Sequence, residues 1–189
     1  MPAIQSGRYK IWRTPEKTQL LVSFGEANSM AVLMRPEEMP KDNPEYPETG
    51  IWIVNVLATP TSSSVPPQSS TTTTHAGVDD NTATATIQHE PSQGYLTVDN
   101  PAEADRGSPI YVKADHKQTW LMNSAAAASS TVHSEFEFHI GYPELNWPQR
   151  MVVDNSFAKA WPPRLALQPY AEDVPQFGGP RPWLFEPVE

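Results

Sequence analysis

Three tryptophans, each near the start of a short apolar run, recur along the chain. They are Trp52 in GIWIVNVL, Trp120 in QTWLMNSA and Trp183 in RPWLFEPV, and the intervals between them are 68 and 63 residues. A second pair of similar segments, YLTVDN from Tyr95 and RMVVDN from Arg150, supports the same repeat. Threefold repetition indicates a small unit that cannot bury its apolar face alone. We therefore expect an all-β chain that folds as a β-trefoil.

Alternating polar and apolar residues, bounded by turn residues, predict four strands in each unit and twelve in all. Six strands are expected to close a barrel, and the other six to form three hairpins that cap one end of it. The predicted strands are Gly7–Arg13, Gln19–Phe24, Ser29–Arg35 and Ile51–Leu57 in the first unit, Ala85–His89, Tyr95–Val98, Pro109–Ala114 and Thr119–Asn123 in the second, and Phe136–Ile140, Arg150–Val153, Arg164–Gln168 and Trp183–Phe185 in the third.

All 189 residues are expected to form a single domain. One segment, Ala58–Thr86, does not fit the strand pattern because it consists mostly of Ser, Thr, Pro and Ala. Such a segment buries too little apolar surface to offset the entropy lost on ordering. We predict a disordered insertion there, between the first two units. The aromatic residues predicted to lie in the core or at the barrel mouth are Tyr9, Trp52, Tyr95, Trp120, Phe138 and Trp183.

Composition excludes several classes of function. The chain has no cysteine, so it can form no disulfide, thiolate metal site or cysteine nucleophile. A net charge of −9 and the absence of any Lys/Arg cluster disfavour binding to nucleic acid or to an anionic membrane. The sequence contains no apolar stretch typical of a signal peptide or a membrane span. We expect a cytoplasmic monomer without a cofactor.

The same segments resemble one protein family. The opening SGRYKI, the internal YLTVDNP followed by an acidic loop, the Trp-led closing strands and the final LFEPVE are similar to the mushroom β-trefoil serine protease inhibitors of the cospin type. These are related to the mycocypin cysteine protease inhibitors. The resemblance covers nearly the whole chain except residues 58–86. It implies reversible inhibition of a trypsin-like serine protease through an exposed substrate-like loop, in fungal cytoplasm. It also implies a reactive bond at Asn28–Ser29.

Side-chain chemistry favours two other bonds. A trypsin-like pocket carries an aspartate at its base and therefore selects a cation. Arg106 in AEADRGS and Lys159 in NSFAKAW lie in the loops of the second and third units that correspond to the Asn28 loop. A lone surface cation is more often only a solvated charge, and three acidic residues lie close to Arg106 in the sequence. The reactive loop therefore stays open among these three positions.

A carbohydrate-binding module of the ricin-B-like type is the alternative function. Lectins of that type carry Gln-x-Trp in each unit, and this chain carries it once, at Gln118 and Trp120. A sugar site pairs a carboxylate acceptor with a flat aromatic face. Equally, an aspartate at the start of an Asp-Asn turn commonly bonds its own backbone. The candidate pairs are Asp99 with Tyr111 and Asp154 with Trp161.

Catalysis is the least expected activity. The five histidines are scattered and show no metal-ligand spacing. No Gly-x-Ser-x-Gly elbow accompanies the many serines. We therefore expect a binding protein that is not an enzyme and has no metal site.

Overall fold

A computed structural model describes residues 4–13, 17–24, 28–39, 49–58, 82–124, 137–143, 151–170 and 181–189. This part of the chain contains thirteen strands and two 3-10 helices of one turn each, so the predicted all-β class is confirmed. The helices are Pro36–Glu38 and Pro101–Glu103. The strands are β1 (Gly7–Arg13), β2 (Leu20–Val22), β3 (Ser29–Met30), β4 (Val32–Met34), β5 (Ile51–Ala58), β6 (Thr82–His89), β7 (Tyr95–Val98), β8 (Ile110–Lys113), β9 (Trp120–Ser124), β10 (Glu137–Gly141), β11 (Met151–Asn155), β12 (Leu165–Pro169) and β13 (Trp183–Pro187).

The described residues form thirteen strands where twelve were predicted, because the predicted strand Ser29–Arg35 is divided in two. The chain changes partner at Ala31: β3 pairs with β8 of the second unit, whereas β4 pairs with β2 of its own unit. Ala31, in the first unit, is hydrogen-bonded to both of the other units. Its amide donates to the carbonyl of Ile110 at 3.0 Å, and its carbonyl accepts from the amide of Leu165 at 3.3 Å.

Six strands form a closed ring. In order around the ring these are β1, β5, β6, β9, β10 and β13, and every neighbouring pair is antiparallel. They are the first and last strands of the three units. Closure leaves none of these six strands as an exposed sheet edge. The six-stranded barrel predicted from the repeat is therefore present.

The three repeated tryptophans occupy equivalent places in this barrel. All three side chains are fully buried. Each indole N–H donates to a main-chain carbonyl of the second strand in its own unit, at 2.9–3.0 Å. The acceptors are Leu21 for Trp52, Leu96 for Trp120 and Val153 for Trp183. Each tryptophan is paired in the sheet with a residue of the first strand in its own unit, which is Tyr9 for Trp52, Ala85 for Trp120 and Phe138 for Trp183. The sequence repeat is thus a structural repeat, in which the same bond joins barrel to hairpin three times.

Six of the seven remaining strands form three hairpins, β2–β4, β7–β8 and β11–β12, and the seventh, β3, pairs with β8. Main-chain hydrogen bonds join every pair of units at, or just before, the last strand of each hairpin. The donor and acceptor pairs are Ala31 N to Ile110 O at 3.0 Å, Leu167 N to Ser108 O at 2.9 Å and Leu33 N to Pro163 O at 2.9 Å. Each hairpin loop is consequently held by its own strands and by a neighbouring unit.

The predicted insertion Ala58–Thr86 is wrong at both ends. Ala58 is the last residue of β5, and residues 82–86 form the first part of β6, a barrel strand. Ala83, Ala85 and Thr86 are buried. The alternation of Thr and Ala has the period of a strand, and small side chains fit beside the large indoles of the core. Residues 59–81 lie outside the described residues.

Five of the six predicted core aromatics are buried, and Tyr95 is the exception. Its ring is partly exposed and lies 5.8 Å from Nζ of Lys117. The adjacent Leu96 fills the core instead, since successive residues of a strand point to opposite faces. At the centre of the barrel, Phe185 meets the rings of Tyr9 and Phe138 edge-on, at 5.9 and 5.7 Å.

Candidate functional site

The loop between β11 and β12 exposes the two most accessible large apolar side chains of the described residues. Phe157 is 72% exposed and Trp161 is 67% exposed, and the exposed Lys159 lies between them in the sequence. Large aromatic side chains are normally buried in a core or in an interface. We call residues 156–164 the lysine loop, and it is the strongest candidate for a binding site.

Two hydrogen bonds and two prolines hold the base of the lysine loop. The amide of Ser156 donates to the carbonyl of Arg164 at 2.8 Å and closes the loop. The amide of Leu33, in the first unit, donates to the carbonyl of Pro163 at 2.9 Å. Pro162 and Pro163 each fix one φ angle. The loop therefore projects from a base that is restrained by two different units.

The tip of the lysine loop has internal order of its own. The amide of Ala158 donates to Oγ of Ser156 at 3.2 Å, and the amide of Ala160 donates to the carbonyl of Ala158 at 2.8 Å. The second bond spans three residues and makes a γ-turn centred on Lys159. The lysine side chain consequently stands at the bend, with a small alanine on either side of it.

Arg106 lies in a tight turn of the β7–β8 loop. The amide of Ser108 donates to the carbonyl of Asp105 at 3.1 Å, and the Ser108 hydroxyl donates to the Asp105 carboxylate at 2.9 Å. Gly107 takes the left-handed region at φ +92°, which suits glycine, and its amide donates to the carbonyl of Leu167 at 2.8 Å. The exposed Arg106 side chain extends over Phe157, with its guanidinium carbon 5.7 Å from the ring centroid.

Asn28 and Ser29 lie where the β2–β3 loop enters β3. Asn28 is exposed and has φ +68°, in the left-handed region, and its amide donates to the carbonyl of Val112 at 3.1 Å. Ser29 is paired with Val112 in the sheet, and its hydroxyl is 2.6 Å from that of Ser23. The Asn28–Ser29 bond is therefore part of a sheet ladder. Residues 25–27, which precede it, lie outside the described residues.

The carboxylate of Asp99 is paired with the ammonium of Lys113. Nζ of Lys113 also lies 5.5 Å from the ring centroid of Tyr111. Asp99 and Tyr111 therefore lie close to each other, on either side of Lys113, and the predicted sugar site needs its carboxylate and its aromatic ring to be close together. However, the cation occupies both the acidic acceptor and the aromatic face that a sugar would need.

The carboxylate of Asp154 is paired with the guanidinium of Arg13, and both side chains are largely buried, at 15% and 11% exposure. The guanidinium carbon of Arg13 also lies 5.3 Å from the ring centroid of Trp183. Asp154 accepts the amide of Asn155 at 2.6 Å, a local side-chain-to-backbone bond, although both residues lie in β11 and not in the predicted Asp-Asn turn. In the described part of the chain, no hydrogen bond or ring contact joins Asp154 to Trp161.

Gln118 and Trp120, the single Gln-x-Trp motif, serve the core. The side-chain carbonyl of Gln118 accepts the hydroxyl of Thr97 at 2.8 Å and the amide of Val98 at 2.9 Å. Trp120 is fully buried. Both side chains therefore hold β7 to the barrel. The motif stabilises the fold here and is no evidence of a sugar-binding site.

Sequence reasoning assigned Lys159 and Trp161 to two different functions and missed Phe157. The structure brings all three into one loop. The segment FAKAW, with aromatics two residues on either side of a lysine and alanines between, was the signal available. The contact between Arg106 and Phe157 had no sequence signal, because it joins loops of two different units.

His139 on β10 makes stability depend on pH. Burial lowers the pKa of His139 from 6.5 to about 4, and the Asp154 carboxylate opposes part of this shift. Between pH 6.5 and 4 the unfolded chain therefore binds a proton that the folded chain does not. The His139 contribution is fully present above pH 6.5, and the free energy of unfolding should fall by on the order of 3 kcal/mol as the pH drops to 4.

Urea unfolding of the wild type, His139→Gln and His116→Gln between pH 7 and pH 4 tests this prediction. His116 is exposed and serves as the matched control. His139→Gln should reduce the fall in unfolding free energy between pH 6.5 and 4, and part of the fall should stay because burial also lowers the pKa of His89. His116→Gln should leave the pH dependence close to the wild type. Equal slopes for the two variants would contradict the role given to His139.

No family model and no curated sequence matches the chain. Solved structures do match. A designed threefold-symmetric protein, ThreeFoil, aligns over 96% of this chain and 99% of its own with a TM-score of 0.61 at 9% identity. A mosquitocidal holotoxin aligns over 99% of this chain with a TM-score of 0.57 at 10% identity, and the match spans 18% of the toxin chain. An SDF2-like protein from Arabidopsis thaliana reaches a TM-score of 0.46 at 12% identity, over 98% of this chain and 94% of its own.

At these identities the likeness concerns the fold alone, and the first two structures support a β-trefoil. Across the ranges that the structure describes, no group of three or more His, Cys, Asp or Glu side chains is arranged to hold a metal ion. Nor does any helix in those ranges have the length and apolar character needed to span a membrane.

Proposed function

We propose that the chain is a reversible inhibitor of a trypsin-like serine protease, built on a β-trefoil of the cospin type. In this proposal the lysine loop binds the protease and Lys159–Ala160 is the reactive bond. The observation that supports it is a projecting, restrained loop whose tip exposes a cation between two exposed aromatic residues. The resemblance to the cospin family adds the class of partner, a serine protease, and a location in fungal cytoplasm.

The chemistry of the tip suits a trypsin-like active site. The ammonium of Lys159 complements the aspartate at the base of such a specificity pocket. Ala158 and Ala160 place little side-chain bulk beside Lys159, which favours access because the enzyme pairs with main-chain groups of a substrate-like inhibitor. The Ala160 amide and the Ala158 carbonyl are bonded to each other in the γ-turn, so these two groups can pair with the enzyme only if the turn opens. Phe157 and Trp161 would meet the enzyme on either side, and buried aromatics are prominent among the residues that dominate interface energy.

The restraint on the loop is the second requirement. A loop that is already ordered loses less conformational freedom on binding, so more of its contact energy appears as affinity. The closing bond from Ser156 to Arg164, the γ-turn at Lys159 and the two prolines supply this order. An interface of typical size, about 1,600 Å² in total, extends well beyond the loop tip.

The other two candidate bonds are less suited to an extended fit. In Arg106–Gly107 the glycine lies in the left-handed region, at φ +92°. Asn28 itself has a left-handed backbone, at φ +68°, whereas an extended segment needs negative φ angles. Both stay as alternatives to be tested beside Lys159. The glycan-binding alternative has less support, since Asp99 and Asp154 both hold a cation of the same chain.

Inhibition of trypsin by Lys159→Ala, Lys159→Arg and Lys117→Ala tests the proposal. Lys159→Ala should raise the inhibition constant at least about 30-fold, the equivalent of about 2 kcal/mol lost at an interface hot spot. Lys159→Arg keeps a long cation and should inhibit nearly as well as the wild type. Lys117 is an exposed lysine outside the loop and serves as the control.

Two results would overturn this assignment. Failure of the wild type to inhibit trypsin would remove the proposed function, and a glycan-binding assay would then test the alternative. Full inhibition by Lys159→Ala would exclude the lysine loop. Parallel Arg106→Ala and Asn28→Ala variants would then identify which remaining loop, if either, contacts the protease.

A further inference from the structure

We propose that Arg106 is a positioning residue for the lysine loop. It would hold the ring of Phe157 and thereby keep the loop in the shape that the protease binds. This inference rests on the proposed function for its consequence, but the contact itself is a feature of the free protein. Arg106 then acts through Phe157 and need not enter the specificity pocket of the enzyme.

The geometry of the contact is that of a cation over an aromatic face. The guanidinium carbon of Arg106 lies 5.7 Å from the ring centroid of Phe157, within the range of about 6 Å over which such pairs attract. Phe157 is 72% exposed, so most of its ring makes no contact with the rest of the protein. Arg106 is therefore a substantial part of what restrains that ring.

The backbone of Arg106 is itself firmly held. Its turn is closed by the hydrogen bonds between Asp105 and Ser108. Two further bonds fix the turn to β12: Gly107 N to Leu167 O at 2.8 Å and Leu167 N to Ser108 O at 2.9 Å. The lysine loop leads directly into β12. Arg106 and Phe157 thus project from two loops that are both attached to β12, one by hydrogen bonds and one through the chain. Their contact therefore restrains the tip of the lysine loop against the β7–β8 loop.

A direct contact with the protease is the competing role for Arg106, and a double-mutant cycle separates the two. If Arg106 acts through Phe157, removing its charge should change neither the amide exchange rate nor the inhibition constant in a variant that already lacks the Phe157 ring. If Arg106 binds the enzyme itself, its removal has the same effect with or without the ring. Arg106→Lys adds a rescue test, because an ammonium also attracts an aromatic face.

The first experiment measures amide hydrogen exchange at Ala158 and Ala160 in the free protein, by NMR, and needs no protease. Arg106→Gln and Phe157→Ala should each raise the exchange rate about two- to fivefold, the range expected of an exposed cation–aromatic pair. The double variant should exchange no faster than either single variant. Arg106→Lys should stay near the wild type, and Lys117→Gln provides a matched loss of charge elsewhere.

The second experiment measures trypsin inhibition with the same variants, together with the rate of cleavage at Lys159–Ala160. Arg106→Gln should raise the inhibition constant about two- to fivefold and speed cleavage of the bond, with no further change in the Phe157→Ala background. Additive effects in both experiments would overturn the positioning role. Coupled exchange without any inhibition would refute the proposed function while leaving the Arg106–Phe157 contact supported.

Discussion

Trp120→Ala should lower the free energy of unfolding by about 3–5 kcal/mol. Trp120 is fully buried, its indole N–H donates to the carbonyl of Leu96 at 2.9 Å, and its ring meets Tyr142 edge-on at 6.1 Å. The substitution leaves a cavity between β9 and β7 and an unpaired buried carbonyl. Single domains of this size are generally stable by only about 5–15 kcal/mol, so the change would remove a large part of the total.

Trp161→Ala makes the same chemical change at an exposed site and is the matched control. It should alter the free energy of unfolding by no more than about 0.5 kcal/mol. Trp120→Phe keeps most of the volume but leaves the Leu96 carbonyl without its donor, and should cost about 1–3 kcal/mol. Urea unfolding followed by circular dichroism gives all three values. Similar losses for Trp120→Ala and Trp161→Ala would contradict the structural role of the repeated tryptophan.

Asp154→Asn should also destabilise the fold by about 3–5 kcal/mol. Asp154 and Arg13 form an ion pair whose side chains are only 15% and 11% exposed, and the guanidinium lies over the ring of Trp183. Asparagine keeps the shape of the side chain but removes its charge. The Arg13 cation would then stay largely buried beside Trp183 without a counter-charge.

Glu90→Gln provides the control, because Glu90 is also paired with a cation, Arg8, but the two side chains are 29% and 43% exposed. It should cost no more than about 1 kcal/mol, since water screens a pair that both partners share with solvent. A double variant, Arg13→Met with Asp154→Leu, should recover much of the stability lost in Asp154→Asn, because no buried charge is left alone. Equal effects of Asp154→Asn and Glu90→Gln on the denaturation midpoint would disprove the buried pair.

Much of the fold could be predicted from the sequence because strand formation depends on local alternation. β1 and β7 match their predicted bounds, and the other predicted strands, apart from the divided Ser29–Arg35, differ by a few residues at their ends. The strand predictions failed where the structure of a segment depends on the strands that pack beside it. Residues 82–86 appeared too polar to be ordered, yet they lie in the barrel because small residues fill the space beside an indole. Ala31 interrupts a predicted strand because two other units bond to it.

The candidate site was less predictable. Lys159 could be named from its charge and from the position of its loop in the third unit. The exposure of Phe157 could not, because in most sequences such a residue belongs to the core, and Trp161 was named only as the aromatic face of a sugar site. Likewise, the sugar-site candidates Asp99 and Asp154 could be named as carboxylates, but their bonds to Lys113 and Arg13 depend on which strands lie side by side.

The all-β class, the threefold repeat and a barrel of six strands can all be predicted from the amino-acid sequence. These follow from the period of apolar residues and the spacing of three tryptophans, which are local properties of the chain. The folded chain was needed to see which carboxylates are paired with cations, which aromatic side chains stay exposed and that Arg106 lies over Phe157. Those features arise from contacts between residues that are distant in the chain. The interaction energy of a charged or aromatic side chain depends on the groups that surround it in the folded protein, and local sequence does not specify those groups.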